Sequence, residues 1–326
     1  MIAGIRGRLR STMITGAAVG GAAALASLVY QEAAAALDRR RFVPPGRLVS
    51  VNGRMVHLLE AGKGPPTVLI VPALGGGVLS WERFQRDLAA AMRVVVYDRA
   101  GIGWSDPPGR GRRTCDDQAQ EIRGLLDAAR IDPPYVLLAH SMGGIYARRF
   151  AVRYPDAVAG MVLVDSSHEN QANRGGVDGW PFGRSDYYKS ALKWQCYILG
   201  VRRLRAAFGL LKELDEDTAS EAVPEHAAAY RAGMLSSRER RAVVSEMLLM
   251  SRLSGSPPPL GSLPLTVITA GKNQTPGWQR MQDELAALSD NSVHVVAEGA
   301  SHYVHHDAAE VIIEAVNDVV RRAGLA

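Results

Sequence analysis

The stretch Tyr135-Val-Leu-Leu-Ala-His-Ser-Met-Gly-Gly-Ile-Tyr-Ala-Arg-Arg-Phe150 decides the fold of this chain. An apolar run typical of a β-strand leads into Ala139-His-Ser-Met-Gly143, and an amphipathic helical pattern follows. A serine at the tip of such a turn can project only if the residues two positions away on each side are small, as Ala139 and Gly143 are. The helix points free N–H groups at Ser141, where they could stabilise a negative charge. The pattern therefore predicts a nucleophile elbow with Ser141 at its tip.

The composition is that of an ordinary globular protein. The 326 residues are 47% hydrophobic and 22% charged, enough for one large core with an inserted subdomain. The net charge is +5, but the clustered arginines flank an apolar stretch or lie in predicted loops, so nucleic acid is not an expected partner. Cys115 and Cys196 fit neither a disulfide framework nor a metal site.

Residues Met13 to Tyr30 carry no charge and could cross a thin bilayer as a helix, although they are rich in alanine and glycine. We interpret residues 1–43 as an N-terminal membrane anchor or signal segment. A signal peptide cleaved near Ala33–Ala36 and a soluble alanine-rich helix stay open as alternatives. We expect a membrane-anchored or secreted protein whose catalytic domain lies outside the cytoplasm.

Apolar strand patterns alternate with helical patterns through most of residues 44–326. The runs are typical of strands buried in a parallel sheet, and the intervals are long enough for helical crossovers. The first two strand patterns form an apparent hairpin with a turn at Asn52-Gly53. We predict a mostly parallel α/β sheet of eight strands, namely the strand before Ser141 together with Leu48–Val51, Met55–Glu60, Val68–Val71, Val94–Tyr97, Val158–Val164, Leu265–Thr269 and Val293–Val296.

The alternation stops over residues 166–262, which we interpret as a helical cap inserted above the sheet. Helical patterns occupy about Asp186–Leu211 and Arg238–Leu253. Six aromatic residues fall between Trp180 and Tyr197. They predict either a hydrophobic ceiling over a substrate pocket or ordinary packing of the cap on the sheet.

These motifs resemble those of the α/β-hydrolase fold family from about Leu48 to the C-terminus. The resemblance implies the α/β-hydrolase fold with a helical cap, and the activity of a serine esterase, lipase or related acyl hydrolase. Dehalogenases and epoxide hydrolases of the family carry aspartate at the position of Ser141, so neither activity is expected. The motifs are Ala139-His-Ser-Met-Gly143, Asp98-Arg-Ala-Gly-Ile-Gly-Trp-Ser105, Pro72–Gly77 and Ser301-His302.

The resemblance implies His302 as the general base. A serine hydroxyl needs a base to remove its proton, and His302 follows the last strand, where the family's histidine reaches over the sheet edge. His168, just after a strand end, is the remaining alternative. The other histidines lie beside the serine, within strands, in the cap or at the start of the closing helix; they are His140, His57, His294, His226, His305 and His306.

The acid departs from the usual pattern of the family. Most members carry an aspartate after the strand equivalent to Leu265–Thr269, but here Gly271-Lys-Asn-Gln-Thr-Pro276 contains no carboxylate. Some relatives take the acid from the end of the preceding strand, which implies Asp165 as the residue that orients His302. Asn273 as an orienting amide and Glu169 as a second carboxylate are the alternatives.

The oxyanion hole implied by the resemblance consists of two backbone N–H groups, those of Met142 and Leu74. Asp98, Arg99 and Ser105 are expected to fix the loop beside the site rather than to take part in catalysis. No cluster in the sequence shows metal-ligand spacing, and the predicted reaction requires no cofactor.

The predicted function is hydrolysis of a carboxylic ester or related acyl bond through an acyl-serine intermediate. The expected substrate is a small acyl or ester compound with an apolar acyl group. One alternative is a cofactor-free haloperoxidase or perhydrolase activity from the same triad. The other is a non-catalytic ligand-binding or membrane-organising protein, which the missing carboxylate after Gly271 favours.

Overall fold

A computed structural model describes residues 2–109, 111–196, 200–212, 214, 216, 221–272 and 275–325. Its centre is an eight-stranded sheet with the order β1-β2-β4-β3-β5-β6-β7-β8. The pairs β1–β2 and β2–β4 are antiparallel, and all other neighbours are parallel. The strands are β1 Arg47–Val51, β2 Arg54–Ala61, β3 Thr67–Val71, β4 Arg93–Tyr97, β5 Tyr135–His140, β6 Val158–Val164, β7 Leu265–Ala270 and β8 Ser292–Ala297.

Helices follow most of the parallel strands and cover both faces of the sheet. The central strands are buried on both faces, so each reads as an apolar run rather than as an alternating pattern. The helices are α1 Ile2–Arg41, α2 Val78–Leu88, α3 Cys115–Ala129, α4 Gly143–Arg153, α5 Arg184–Cys196, α6 Val201–Ala207, α7 Ala227–Met234, α8 Ser237–Met250, α9 Pro276–Ala286, α10 Val304–Asp307 and α11 Ala309–Arg322.

The hairpin between β1 and β2 has the predicted turn. Asn52 and Gly53 have φ angles of 50° and 76°. Two central residues with positive φ give the turn type whose twist matches that of the paired strands.

The N-terminal helix is present as α1, and its second half packs on the helices between β6 and β7. Nε2 of Gln31 donates to the carbonyl of Leu235 at 2.7 Å, and Asp38 pairs with Arg203 at 2.7 Å. No helix within the described residues combines the length and the apolarity needed to cross a bilayer. The predicted membrane anchor is therefore not supported, because alanine and glycine carry little apolar surface.

The interval between β6 and β7 is helical. The helical pattern predicted over about Asp186–Leu211 corresponds to two separate helices, α5 and α6, and Gly200, at the start of α6, has a φ of 75°. That left-handed conformation suits glycine and marks a break in a helical pattern.

Two tryptophans of this interval pack against other parts of the fold, whereas Phe182 and Tyr188 are exposed. Trp180 stacks on Trp278 of α9 with ring centroids 4.7 Å apart. Trp194 lies under the guanidinium of Arg240 at 4.4 Å. Tyr197 lies outside the described residues. These contacts favour the packing interpretation over a hydrophobic ceiling.

Candidate active site

Ser141 lies in the turn between β5 and α4 with a φ of 52°, in the left-handed region. A non-glycine residue there is strained, and such strain is typical of a nucleophile elbow. Gly143 allows the turn to approach β3, since a Cβ at this position would lie 2.2 Å from the carbonyl oxygen of Val71. The small residue that the sequence places two positions after Ser141 is therefore a steric requirement.

Backbone contacts fix the turn further. The amide of Ser141 donates to the carbonyl of Val164 at 3.1 Å, and the amide of Ser167 donates to the carbonyl of Ser141 at 2.9 Å. The hydroxyl of Ser166 also donates to the carbonyl of Ser141, at 3.1 Å. The segment after β6 thus supports the elbow from the side on which Asp165 lies.

His302 and Asp165 are paired directly. Nδ1 of His302 lies 2.6 Å from Oδ2 of Asp165. The Asp165 side chain is fully buried, whereas the His302 side chain is 37% exposed. A buried carboxylate on one ring nitrogen fixes the orientation of the ring and leaves the other nitrogen available for proton transfer.

The other carboxylate oxygen of Asp165 also has hydrogen-bond partners. Oδ1 accepts hydrogen bonds from the indole of Trp278 at 2.8 Å and from the amide of Ala270 at 3.1 Å. Burial raises the pKa of Asp165, but the hydrogen bond and charge of His302 and the bonds from Trp278 and Ala270 outweigh it, so the pKa lies below its ordinary value. Asp165 is therefore held as a carboxylate. Sequence reasoning did not find Trp278, because no local pattern indicates which indole faces a given carboxylate.

The alternative residues have other partners. Glu169 forms a bidentate pair with Arg148, at 2.8 and 3.1 Å. His168 is buried, accepts from the amide of Asn170 at 3.0 Å and lies 3.0 Å from Glu284. Asn273 lies outside the described residues.

His140 connects the elbow to the loop that carries His302. Its Nε2 donates to the carbonyl of His302 at 2.8 Å, and the two rings lie 4.6 Å apart. Burial, reinforced by the neighbouring His302, lowers the pKa of His140 to about 3, so the ring is neutral at physiological pH. His140 thus holds the loop of His302 from inside the fold.

The loop that contains Leu74 is held by the guanidinium of Arg99. The guanidinium donates to the carbonyls of Pro72 at 2.6 Å and Ala73 at 2.5 Å, and to Glu246 of α8 at 2.7 Å. The carbonyl of Ala73 and the amide of Leu74 belong to one peptide group, so the bond to Ala73 also fixes the amide of Leu74. Met142, which carries the other expected donor, is 2% exposed at the start of α4.

Asp98 fixes the loops beside the site, as its motif suggested. Its carboxylate accepts from the amide of Val78 at 2.7 Å and of Trp104 at 3.2 Å, and from Nδ1 of His57 at 2.6 Å. The hydroxyl of Ser105 donates to the carbonyl of Asp98 at 2.6 Å. These are structural contacts, since each of these atoms is hydrogen-bonded to another group of the protein.

An open cavity, with about 70 Å³ of space that water-sized molecules can occupy, lies beside this loop. It extends from the glycine-rich segment after β3 to α1, α7 and α8. Its wall is mainly apolar, with a few charged groups. The apolar and aromatic residues that line it are Ala35, Phe42, Leu79, Ile102, Trp104, Ala229, Tyr230, Ala232 and Met234.

The chain belongs to the α/β-hydrolase fold family, whose sequence model matches residues 66–309. The sheet order and the elbow agree with that assignment, which makes the protein a member of a family of hydrolases. The uncharacterized protein YqjL of Bacillus subtilis is 27% identical over 277 residues, covering 83% of this chain and 90% of that protein. For several other curated relatives, the chain spans less than half of their length.

Solved structures share the fold at low sequence identity. A thermophilic esterase from Thermogutta terrifontis is 20% identical, with a TM-score of 0.62 over 85% of this chain and 98% of the other. The enol-lactonase of Burkholderia xenovorans is also 20% identical, with a TM-score of 0.63 over 84% of this chain and 100% of the other. At this level of identity the likeness establishes the fold alone.

Proposed function

We propose that the protein is a serine hydrolase that cleaves a carboxylic ester or related acyl bond through an acyl-serine intermediate. The observation that carries this proposal is the 2.6 Å contact between Nδ1 of His302 and the buried carboxylate of Asp165. Asp165 directly follows β6, the strand that pairs with the one before Ser141. The proposed nucleophile, base and acid are therefore grouped at the carboxyl-terminal ends of the parallel strands.

The reaction follows from the chemistry of these three groups. His302 accepts the hydroxyl proton of Ser141 while the oxygen attacks the carbonyl carbon, and Asp165 stabilises the imidazolium. The proton then passes to the leaving alcohol as the ester bond breaks, which leaves the acyl group on Ser141. In the second half-reaction His302 takes a proton from water, the resulting hydroxide attacks the acyl carbon, and Ser141 is regenerated.

The negative charge that develops on the carbonyl oxygen needs two donors in fixed positions. The amide of Met142 begins α4, where the helix dipole also favours an anion. The amide of Leu74 belongs to the loop that Arg99 holds through the carbonyls of Pro72 and Ala73. We assign these two amides as the oxyanion hole.

We infer that the cavity beside the same loop receives the apolar acyl group of a small substrate, although Ser141 and His302 are not among the residues that line it. Gly75 and Gly77 of the oxyanion loop contribute to its wall, and most of the other lining residues are apolar. The esterase and the enol-lactonase that share the fold act, by their names, on ester and lactone bonds. A series of p-nitrophenyl esters of graded acyl length measures how much of the cavity the acyl group fills.

Labelling with a fluorophosphonate tests the nucleophile. The wild-type protein should be labelled, and Ser141→Ala should lose both labelling and turnover, because it lacks the proposed nucleophile. Ser185→Ala, at an exposed serine of α5, is the matched control and should behave as wild type. A folded wild type that takes no label would favour the ligand-binding alternative, and labelling without ester turnover would favour the perhydrolase alternative.

Asp165→Asn tests the acid. An amide keeps the shape of the carboxylate but cannot stabilise the imidazolium by charge, a change that costs roughly four orders of magnitude in kcat in a serine triad. Glu169→Gln is the control, since Glu169 pairs with Arg148. Full activity in Asp165→Asn would show that another group orients His302.

A further inference from the structure

Three potential metal ligands converge outside the proposed catalytic site. Glu221, His305 and His306 each offer one ligand atom, and these atoms all lie within 4.8 Å of one another. Nε2 of His306 is 3.1 Å from Oε2 of Glu221, but the geometry is not that of a hydrogen bond. The three ligand atoms thus lie close enough together to surround one ion.

His305 supplies an independent observation. Its side chain is 4% exposed, and among the described residues neither ring nitrogen has a hydrogen-bond partner. The backbone of Ser80 acts on the ring electrostatically but lies outside hydrogen-bonding geometry. Buried polar atoms are nearly always paired, and one that is not is explained by an ion or water bound at the site. The ring is held in place by stacking on Trp81, with centroids 4.1 Å apart and planes 8° apart.

We propose that Glu221, His305 and His306 bind one divalent transition-metal ion, zinc by preference. Two imidazoles and one carboxylate suit zinc better than calcium or magnesium, which prefer oxygen ligands. Ligand atoms around a tetrahedral zinc ion lie roughly 3.3 Å apart, given metal–nitrogen distances of about 2.05 Å. Small rotations of the Glu221 and His306 side chains toward the fixed His305 ring would bring the three groups from their present spacing to that one.

The site would connect two parts of the molecule that are distant in sequence. Glu221 belongs to the helical interval between β6 and β7, whereas His305 and His306 lie on α10, which begins two residues after His302. A bound ion would therefore hold the helical interval against the segment that carries the proposed base. This inference does not depend on the proposed ester hydrolysis, because ion binding can be measured without any substrate.

Calorimetric titration of the full chain with ZnCl₂, after treatment with EDTA and removal of any affinity tag, tests the proposal. We expect one zinc ion per chain and a higher melting temperature on binding, because an ion that binds only the folded state stabilises it. Glu221→Gln and His306→Gln should each weaken binding by at least about tenfold, since loss of an outer-shell partner alone costs about 10–100-fold. Both variants should also lose the increase in melting temperature.

Matched controls separate this site from others. Glu225→Gln changes an exposed carboxylate of the same interval, and His294→Gln changes a histidine of β8 outside the cluster; both should bind zinc as wild type does. Unchanged affinity in Glu221→Gln and His306→Gln, or binding lost only in His302→Gln, would overturn the proposal. Visible absorption of the Co²⁺-substituted wild type gives a readout without mutation, and spectra that lack the bands of a tetrahedral nitrogen and oxygen site would also overturn it.

Discussion

At the scale of single residues, the orientation of His302 depends on Asp165, and Asp165 depends in turn on Trp278. The two oxygens of the carboxylate are divided between them, with His302 on Oδ2 and the Trp278 indole on Oδ1. Trp278 is 2% exposed and is fixed by its stack on Trp180. Trp278 thereby helps to keep Asp165 ionised beside the proposed base.

Trp278→Phe should shift the acid limb of the pH profile for kcat/KM to higher pH. The indole hydrogen bond lowers the pKa of Asp165, so its loss raises that pKa, and the carboxylate is protonated at a higher pH as the pH falls. A hydrogen bond to a charged group contributes about 1.5–3 kcal/mol.

Trp180→Phe is the control for this prediction. The substitution disturbs the same aromatic stack, but the indole that it removes, that of Trp180, donates to the carbonyl of Gln171 rather than to Asp165. An equal shift in the two variants would mean that packing, and not the hydrogen bond, controls the acid limb.

At the scale of elements, one buried arginine joins the loop after β3, the loop after β4 and helix α8. Arg99 is 1% exposed, and its guanidinium binds two loop carbonyls and the carboxylate of Glu246. The charge of Glu246 raises the pKa of Arg99 against the effect of burial. The position of the assigned oxyanion donor Leu74 is therefore linked to a helix of the inserted interval.

Glu246→Gln should lower both stability and activity. The buried charge of Arg99 would lose its partner, and breaking a buried pair in this way costs about 3–5 kcal/mol of unfolding free energy. The loop of Leu74 would be held less firmly, so kcat for ester hydrolysis should decrease as well. Urea unfolding and steady-state kinetics measure the two effects. Glu225→Gln, at an exposed carboxylate, should change neither, and an equally small effect of Glu246→Gln would contradict the prediction.

At the scale of the whole molecule, the buried His57–Asp98 pair joins the antiparallel and parallel parts of the sheet. Nδ1 of His57 lies 2.6 Å from Asp98, and Nε2 contacts the carbonyl of Pro45. Burial lowers the pKa of His57, but the charge and the hydrogen bond of Asp98 raise it by more. The pKa of His57 therefore lies above the ordinary value of 6.5. Burial raises the pKa of Asp98, and the charge and hydrogen bond of His57 hold it below 3.8.

The pair should make stability depend on pH. Protonated His57 stabilises the fold below pH 6.5, and this contribution is lost as the pH rises through the folded-state pKa. Ionised Asp98 stabilises the fold above pH 3.8, and its contribution is lost as the pH falls through its own folded-state pKa. The stabilisation is therefore fully present between these two values.

Urea unfolding of wild type and Asp98→Asn at a series of pH values tests this dependence. The difference in unfolding free energy should be largest at about pH 5–6.5 and should shrink at alkaline pH. Asp127→Asn, at an exposed helical pair, is the control. A difference that stays constant across the alkaline range would show that His57 does not titrate with folding.

Much of the fold could be predicted from local patterns. Strands buried on both faces appear as apolar runs, and all eight lie within one or two residues of their predicted bounds. The elbow is also local, because a turn this sharp requires small residues at fixed positions around Ser141. The predictions for Ser141, His302 and Asp165 rest on such motifs and on a family resemblance.

The sequence by itself determined the strands and their order along the chain, because these depend on periodicity within short segments, and its resemblance to a family indicated the residues of the proposed triad. Only the tertiary structure decided the bond from Trp278 to Asp165, the link from Arg99 to Glu246 and the convergence of Glu221 on His305 and His306. These contacts join residues about 80 to 150 positions apart. Periodicity carries no information at that range, so such contacts follow only from how the elements pack.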